Sequence, residues 1–220
     1  PLIQRVVLVP DELGSAGMAT LIEIGAALDR FKTSNKPVIA YGDGLEQRGY
    51  YLAAHASKVY LHPEGAVLLE GLSRYRTFFK GAFDKLGVEP RLFRVGEFKS
   101  AGEPYIRTEM SPEAREADLY WMGDLWQRYL ADVARLRKLD PAKLAAEIDA
   151  LDSLVQAANG DLAKLALEQG LVDELKTRDQ VRAELIAAGA EDPESKSFRQ
   201  IGVEEYVAAV EMREPDNGTD

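Results

Sequence analysis

Asn35-Lys36-Pro37-Val38-Ile39-Ala40-Tyr41 joins a helix stop to a short apolar run. Pro37 cannot continue a helix, because it lacks an N–H and its ring crowds the preceding turn. Val38–Tyr41 is short, apolar and β-branched at its start, as a buried strand requires. Upstream, Met18–Lys32 places Leu21, Ile24, Leu28 and Phe31 on one helical face, and Val6–Val9 is an earlier β-branched run. Downstream, Glu46–Ala56 reads as a helix and Val59-Tyr60-Leu61 as a third strand. His62-Pro63-Glu64-Gly65 is a turn, with a further short strand at Val67–Leu69. Strands and helices alternating at such short intervals imply βαβ units with right-handed crossovers, an α/β fold.

Beyond this frame, Tyr75–Leu86 has Phe78, Phe79, Ala82, Phe83 and Leu86 at helical spacing, and Gly87 ends it. Arg91–Val95 reads as an apolar strand pattern leading into a glycine-marked loop. Ser111 is a natural N-cap with Pro112 at the first helical position and Glu113 near the positive helix end. The helix so opened runs to near Asp140, with Leu119, Met122, Trp126, Tyr129, Val133 and Leu136 on one stripe, read as packing surface. Leu144–Ile148, Leu162–Glu168 and Arg178–Ala188 are further helices, and Ser197–Met212 a strand and a helix. The domain is expected over residues 1–210. Residues 211–220 carry four acidic residues against one arginine and read as a solvated linker toward a second domain. The chain opens on Pro1 almost inside its first strand, and is read as a piece excised from a longer protein.

A net charge of −10 leaves no basic surplus for phosphates, which argues against a nucleic-acid partner. The absence of cysteine removes thiolate catalysis and sulfur ligands, and two histidines make no histidine-rich metal site. No cofactor is implied. No window approaches the apolar length of a membrane span.

The loop Arg94-Val95-Gly96-Glu97-Phe98-Lys99-Ser100-Ala101-Gly102-Glu103-Pro104 sets one lysine between an extended lead and a proline. It closely resembles the lysine motif of the signal peptide peptidase A (protease IV, peptidase family S49) family of Ser-Lys proteases. Further stretches resemble the family in order: Asn35–Gly42, Gly49–Ala54, Lys58–Gly65, Met110–Asp118 and Ala166-Leu-Glu-Gln-Gly-Leu-Val-Asp173. They are most similar to the amino-terminal half of the long, two-repeat form. The resemblance implies a ClpP/crotonase-like spiral of βαβ units, with Lys99 as the catalytic general base. It also implies peptide substrates, cleaved signal peptides among them, and a serine supplied by the protein's own carboxy-terminal domain. One amino-terminal membrane anchor in the bacterial inner membrane, catalytic domains on the periplasmic side and a homo-oligomer complete the expectation.

One departure from the family pattern sets the role of this chain. The Ser-Gly-Gly-Tyr-type turn that carries the family's nucleophile, laid on Gly42–Tyr50, puts Gln47 at the serine position, and an amide cannot attack a carbonyl. Where a glycine pair would offer oxyanion N–H groups, the chain has Asp11-Glu12-Leu13-Gly14-Ser15, whose carboxylates would repel a developing oxyanion. Ser100 and Ser73 are the hydroxyls nearest to candidate motifs. Ser100 is set aside because neighbours in extended backbone face opposite ways. A free lysine holds its proton to pH ~10.4, so a base role needs burial beside apolar groups and no adjacent carboxylate, with Glu97 and Glu103 turned away. His55 and His62 lack a triad pattern and read as structural. The alternative is a non-catalytic crotonase-like module for oligomerisation and groove lining. An enoyl-CoA hydratase-type enzyme on the same fold is disfavoured by the lysine motif.

Overall fold

The computed structural model describes residues 3–93, 95, 96 and 99–212. The first strand, β1, is Val6–Leu8, followed by a 3-10 turn at Pro10–Glu12 and helix α1 at Met18–Lys32. Strand β2 (Val38–Glu46), helix α2 (Gln47–Ala54) and strand β3 (Lys58–Leu68) follow. Short helices α3 (Lys80–Leu86) and α4 (Glu103–Ile106) lead to the long α5 (Pro112–Arg137). The chain continues through α6 (Pro141–Asp149), α7 (Leu151–Ala157), α8 (Leu162–Glu168), strand β4 (Glu174–Leu175), α9 (Arg178–Ala187) and α10 (Val203–Glu211).

The strands form one parallel sheet in the order β1-β2-β3-β4, the α/β arrangement that the alternation of elements predicts. Side chains alternate across the sheet. Val38, Ala40, Val59 and Leu61 join the larger core under α1, α2, α5, α6 and α8. Ile39, Tyr41 and Tyr60 face the other way and pack on Val181 and Leu185 of α9. Burial on both faces is why these runs read as continuously apolar.

The expected turn at His62–Gly65 is an excursion within β3. Gly42 pairs with Leu61, and the register resumes at Gly44 with Ala66. A Cβ on Gly65 would lie 2.4 Å from the Asp43 carbonyl oxygen, so a side chain there would push the two strands apart. The strand expected at Val67–Leu69 is thus the second half of β3, to Leu68.

Helix α5 starts as its sequence demands. The Ser111 hydroxyl accepts from Ala114 N–H (3.2 Å), and the helix ends on Lys138 in left-handed backbone, short of Asp140. Asp140 instead caps α6 through Lys143 N–H (2.7 Å). The C-terminal half of α5 buries Tyr129 and Val133. Leu119 in the N-terminal half is 62% exposed. Periodicity identified the stripe, but only half of it meets the sheet-bound helices.

Three other expectations are corrected. The helix expected over Tyr75–Leu86 spans only Lys80–Leu86. Residues before it are held by distant partners: Arg74 by Asp118, Arg76 by Ser100, and Phe79 N–H by the Pro104 carbonyl (2.7 Å). The described residues of Arg91–Val95 form no strand, and Arg94 lies outside the described residues. Within Ser197–Met212, Phe198 makes one isolated bridge to Glu191, and the regular element is α10. Of the tail, residues 213–220 also lie outside the described residues.

Arg137 and Asp173 lock α5 to the β3–β4 edge. Arg137 donates to both Asp173 oxygens (2.8 and 3.1 Å), and Val59 N–H donates to Oδ2 (2.7 Å). Burial opposes ionisation of Asp173, but the Arg137 guanidinium and the Val59 N–H outweigh it and hold the carboxyl below its usual range. A depressed folded pKa stabilises above the unfolded value of ~3.9 and loses that stabilisation as pH falls through the folded value. Asp173→Asn is therefore expected to unfold more readily at pH 7, by about 1–2 kcal/mol in a urea titration. The gap should close below about pH 4.

Candidate active site

Lys99 sits in a turned segment. Its N–H approaches the Gly96 carbonyl (3.4 Å), with Gly96 in left-handed backbone (φ 102°), and Glu103 N–H closes onto the Ser100 carbonyl (3.1 Å). The extended geometry assumed for Lys99 and Ser100 is thus corrected. The backbone turns, and both residues line one cleft of about 680 Å³. Lys99 is exposed rather than buried. Glu97 lies outside the described residues.

The segment is moored on its far side. Glu103 is fully buried at the start of α4, where its oxygens accept from the Ser111 N–H (3.1 Å) and the Ser111 hydroxyl (2.5 Å). The same hydroxyl caps α5. The carboxylate four residues after the lysine is thus tied to the helix that forms the opposite wall of the cleft.

That wall carries residues the sequence reading missed. Asp118 accepts from Arg74 (2.6 Å) and from the Trp121 indole N–H (3.3 Å) on the same oxygen. Its other oxygen is buried, has no hydrogen-bond partner among the described residues, and stands 4.0 Å from Arg76. Burial pushes against the charge on Asp118, but Trp121 and the two arginines prevail and hold its carboxyl below the usual range. Arg76 donates to the Ser100 hydroxyl (3.1 Å), which makes that hydroxyl an acceptor held by a cation. Arg74 and Arg76 are two apart, the spacing that puts side chains of an extended segment on one side.

Gln47 does not face this cleft chemistry as a nucleophile would. Its side-chain oxygen accepts from the N–H groups of Glu70 (3.2 Å) and Gly71 (2.9 Å), and its carbonyl accepts from the Tyr129 hydroxyl (2.8 Å). It pins the chain leaving β3 to the start of α2. Gln47→Ala strips two backbone donors of their acceptor, and a loss of about 1–2 kcal/mol is expected in thermal or urea unfolding.

The position expected for a glycine pair is also filled. Asp11 accepts from the N–H groups of Asp43 (3.0 Å) and Gly44 (3.2 Å), so a resident carboxylate takes up the backbone donors there. The Glu12 side chain lies outside the described residues. Ser73 is absent from the lining of the cleft.

The histidines are structural. His55 is buried on Asp29 (Nδ1 to Oδ2, 3.0 Å), with its ring so close to Gly25 that a Cβ there would lie 2.4 Å from Nε2. His62 Nδ1 accepts from Glu64 N–H (3.1 Å) within the β3 excursion.

Residues 30–190 match peptidase family S49, and the chain belongs to that family. It is 41% identical to Protease 4 of Salmonella typhi over 183 residues, 83% of this chain and 30% of that protein. It is 35% identical to Protease 4 of Haemophilus influenzae over 213 residues, 97% of this chain and 34% of that protein. The chloroplastic serine protease SPPA of Arabidopsis thaliana is 26% identical over 170 residues, 76% of this chain and 24% of that protein. The chain thus spans about a third of the length of the two bacterial relatives. No helix among the described residues is long and apolar enough to cross a membrane.

Proposed function

We propose that residues 1–210 supply the general base, Lys99, to a Ser-Lys endopeptidase whose nucleophilic serine lies outside this chain. The observation that carries the reading is Lys99 on the wall of the cleft, set on a segment moored to α5 through Glu103 and Ser111. In this scheme the Lys99 amine takes the proton of the serine hydroxyl as the oxygen bonds to the peptide carbonyl carbon. It then returns a proton to the leaving amine as the C–N bond breaks. Water removes the acyl group in a second round of the same transfers.

An amine does this only when it can shed its proton, which needs apolar cover. Lys99 is exposed here, and the cover comes, in this reading, from the serine-bearing domain closing over the cleft. The half-exposed Trp121 on the cleft wall offers apolar surface for that closure. The names of the bacterial relatives support protease activity, and that of the plant relative supports a serine as nucleophile. Cleaved signal peptides are the proposed substrates. The proposed setting is a homo-oligomer anchored in the bacterial inner membrane, active on its periplasmic side, with residues 211–220 linking to the second domain.

The 220-residue chain alone is expected to leave a fluorogenic peptide uncut, because Gln47 stands at the nucleophile position. Robust cleavage that disappears in Ser100→Ala would show instead that this chain holds its own nucleophile.

A further inference from the structure

Among the described residues, the cleft beside Lys99 is lined by three cations, Arg74, Arg76 and Lys99, against one carboxylate, Asp118, in a chain whose net charge is −10. The local excess of positive charge runs against the sign of the whole molecule. Arg76 is largely buried, its side chain 15% exposed, yet among the described residues its one hydrogen bond goes to the neutral Ser100 hydroxyl and its nearest carboxylate oxygen is 4.0 Å away. A guanidinium has five N–H donors in a planar fork. Removing such a group from water without acceptors is costly, and an anion in the cleft would relieve that cost.

Asp118 fills this role only in part, because it faces Arg76 at 4.0 Å without a hydrogen bond. Its bonded oxygen is shared between Arg74 and the Trp121 indole, and the carboxylate holds the arginine in place from the helix side. The ring of Trp121 and the small side chains of Ala101 and Ala117 give the cleft an apolar wall, against which a bound chain would lie with little competing water.

The geometry points to a carboxylate-recognition subsite. Arg76, assisted by Arg74, takes a carboxylate of the bound peptide, and the guanidinium pairs its charge so that it does not act on the Lys99 amine as an unpaired carboxylate would. The inference rests on the peptidase reading for the nature of the ligand. A peptide offers two such groups, its C-terminal carboxylate and the side chains of Asp and Glu, and the fork of Arg76 suits either.

The test uses the full-length protein and three N-terminally labelled hexapeptides of Leu and Ala. They are a free acid, its C-terminal amide, and an amide with one internal Asp. Binding is read as anisotropy amplitude immediately after mixing, before turnover. The free acid is expected to bind roughly tenfold tighter than the plain amide, as a charge-assisted bond implies. Arg76→Gln is expected to erase the preference. If the Asp-bearing amide matches the free acid, the subsite takes side-chain carboxylates as well. If it binds like the plain amide, the subsite takes the chain end. Equal affinity of all three peptides for the unmodified protein would overturn the inference, and so would a preference that survives both Arg76→Gln and Arg74→Gln. Should Arg76→Gln fail to fold, Arg74→Gln carries the test, because the Arg74 side chain is 45% exposed and less embedded. The two readings fail separately. Normal hydrolysis by Lys99→Ala would sink the base assignment and leave the binding preference intact, whereas inactive Lys99→Ala with no preference would sink the subsite alone.

Discussion

Lys99→Ala in the full-length protein is expected to lower peptide hydrolysis by roughly 10²–10⁴-fold, the range of general acid–base catalysis. In the 220-residue chain alone its melting temperature should barely move, because the side chain is exposed there and exposed substitutions rarely change stability by more than about 0.5 kcal/mol. Lys99→Arg should fail almost as badly. The guanidinium keeps the positive charge but holds its proton at any working pH and so cannot accept one from serine. If the arginine variant retains near-normal turnover, the amine serves as a charge or a donor, not as a base.

The second large effect is expected on stability. Glu103→Ala removes a fully buried carboxylate that accepts both the N–H and the hydroxyl of Ser111. Two buried donors lose an acceptor, a cavity opens, and the hydroxyl that caps α5 is freed to turn elsewhere. A loss of about 3–4 kcal/mol is expected by chemical denaturation. Glu103→Gln keeps the volume and one acceptor oxygen and should recover much of that loss. Because Glu103 ties the lysine segment to the cleft's far wall, the glutamine variant should lose activity beyond its loss of folded protein. Activity that simply follows the folded fraction would mean that the tie sets stability and not the position of Lys99.

What the sequence disclosed depended on the range of the interactions. The strands at Val6, Val38 and Val59 were legible because burial on both faces leaves a continuous apolar run. Helix α5 was legible because Ser111 and Pro112 act on the turn beside them. Lys99 is a candidate base on its motif alone. Its surroundings were hidden because they are built across the chain. Arg74 reaches Asp118, forty-four residues on, and that tie helps to keep residues before α3 from the helix their aromatic spacing suggested. Gln47 shows the same limit. Its place in the motif revealed that no nucleophile stands there, but its grip on Glu70 and Gly71 depends on how β3 ends. The exposed Leu119 shows that periodicity finds an apolar face without finding what covers it.

The most direct test of the central claim is to map where a serine-reactive fluorophosphonate attaches in the full-length protein, by mass spectrometry of the labelled peptides. The account predicts one adduct, on a serine outside residues 1–220, and its disappearance in Lys99→Ala. An adduct on Ser100 or Ser73, or labelling of the outside serine at an undiminished rate without Lys99, would contradict it.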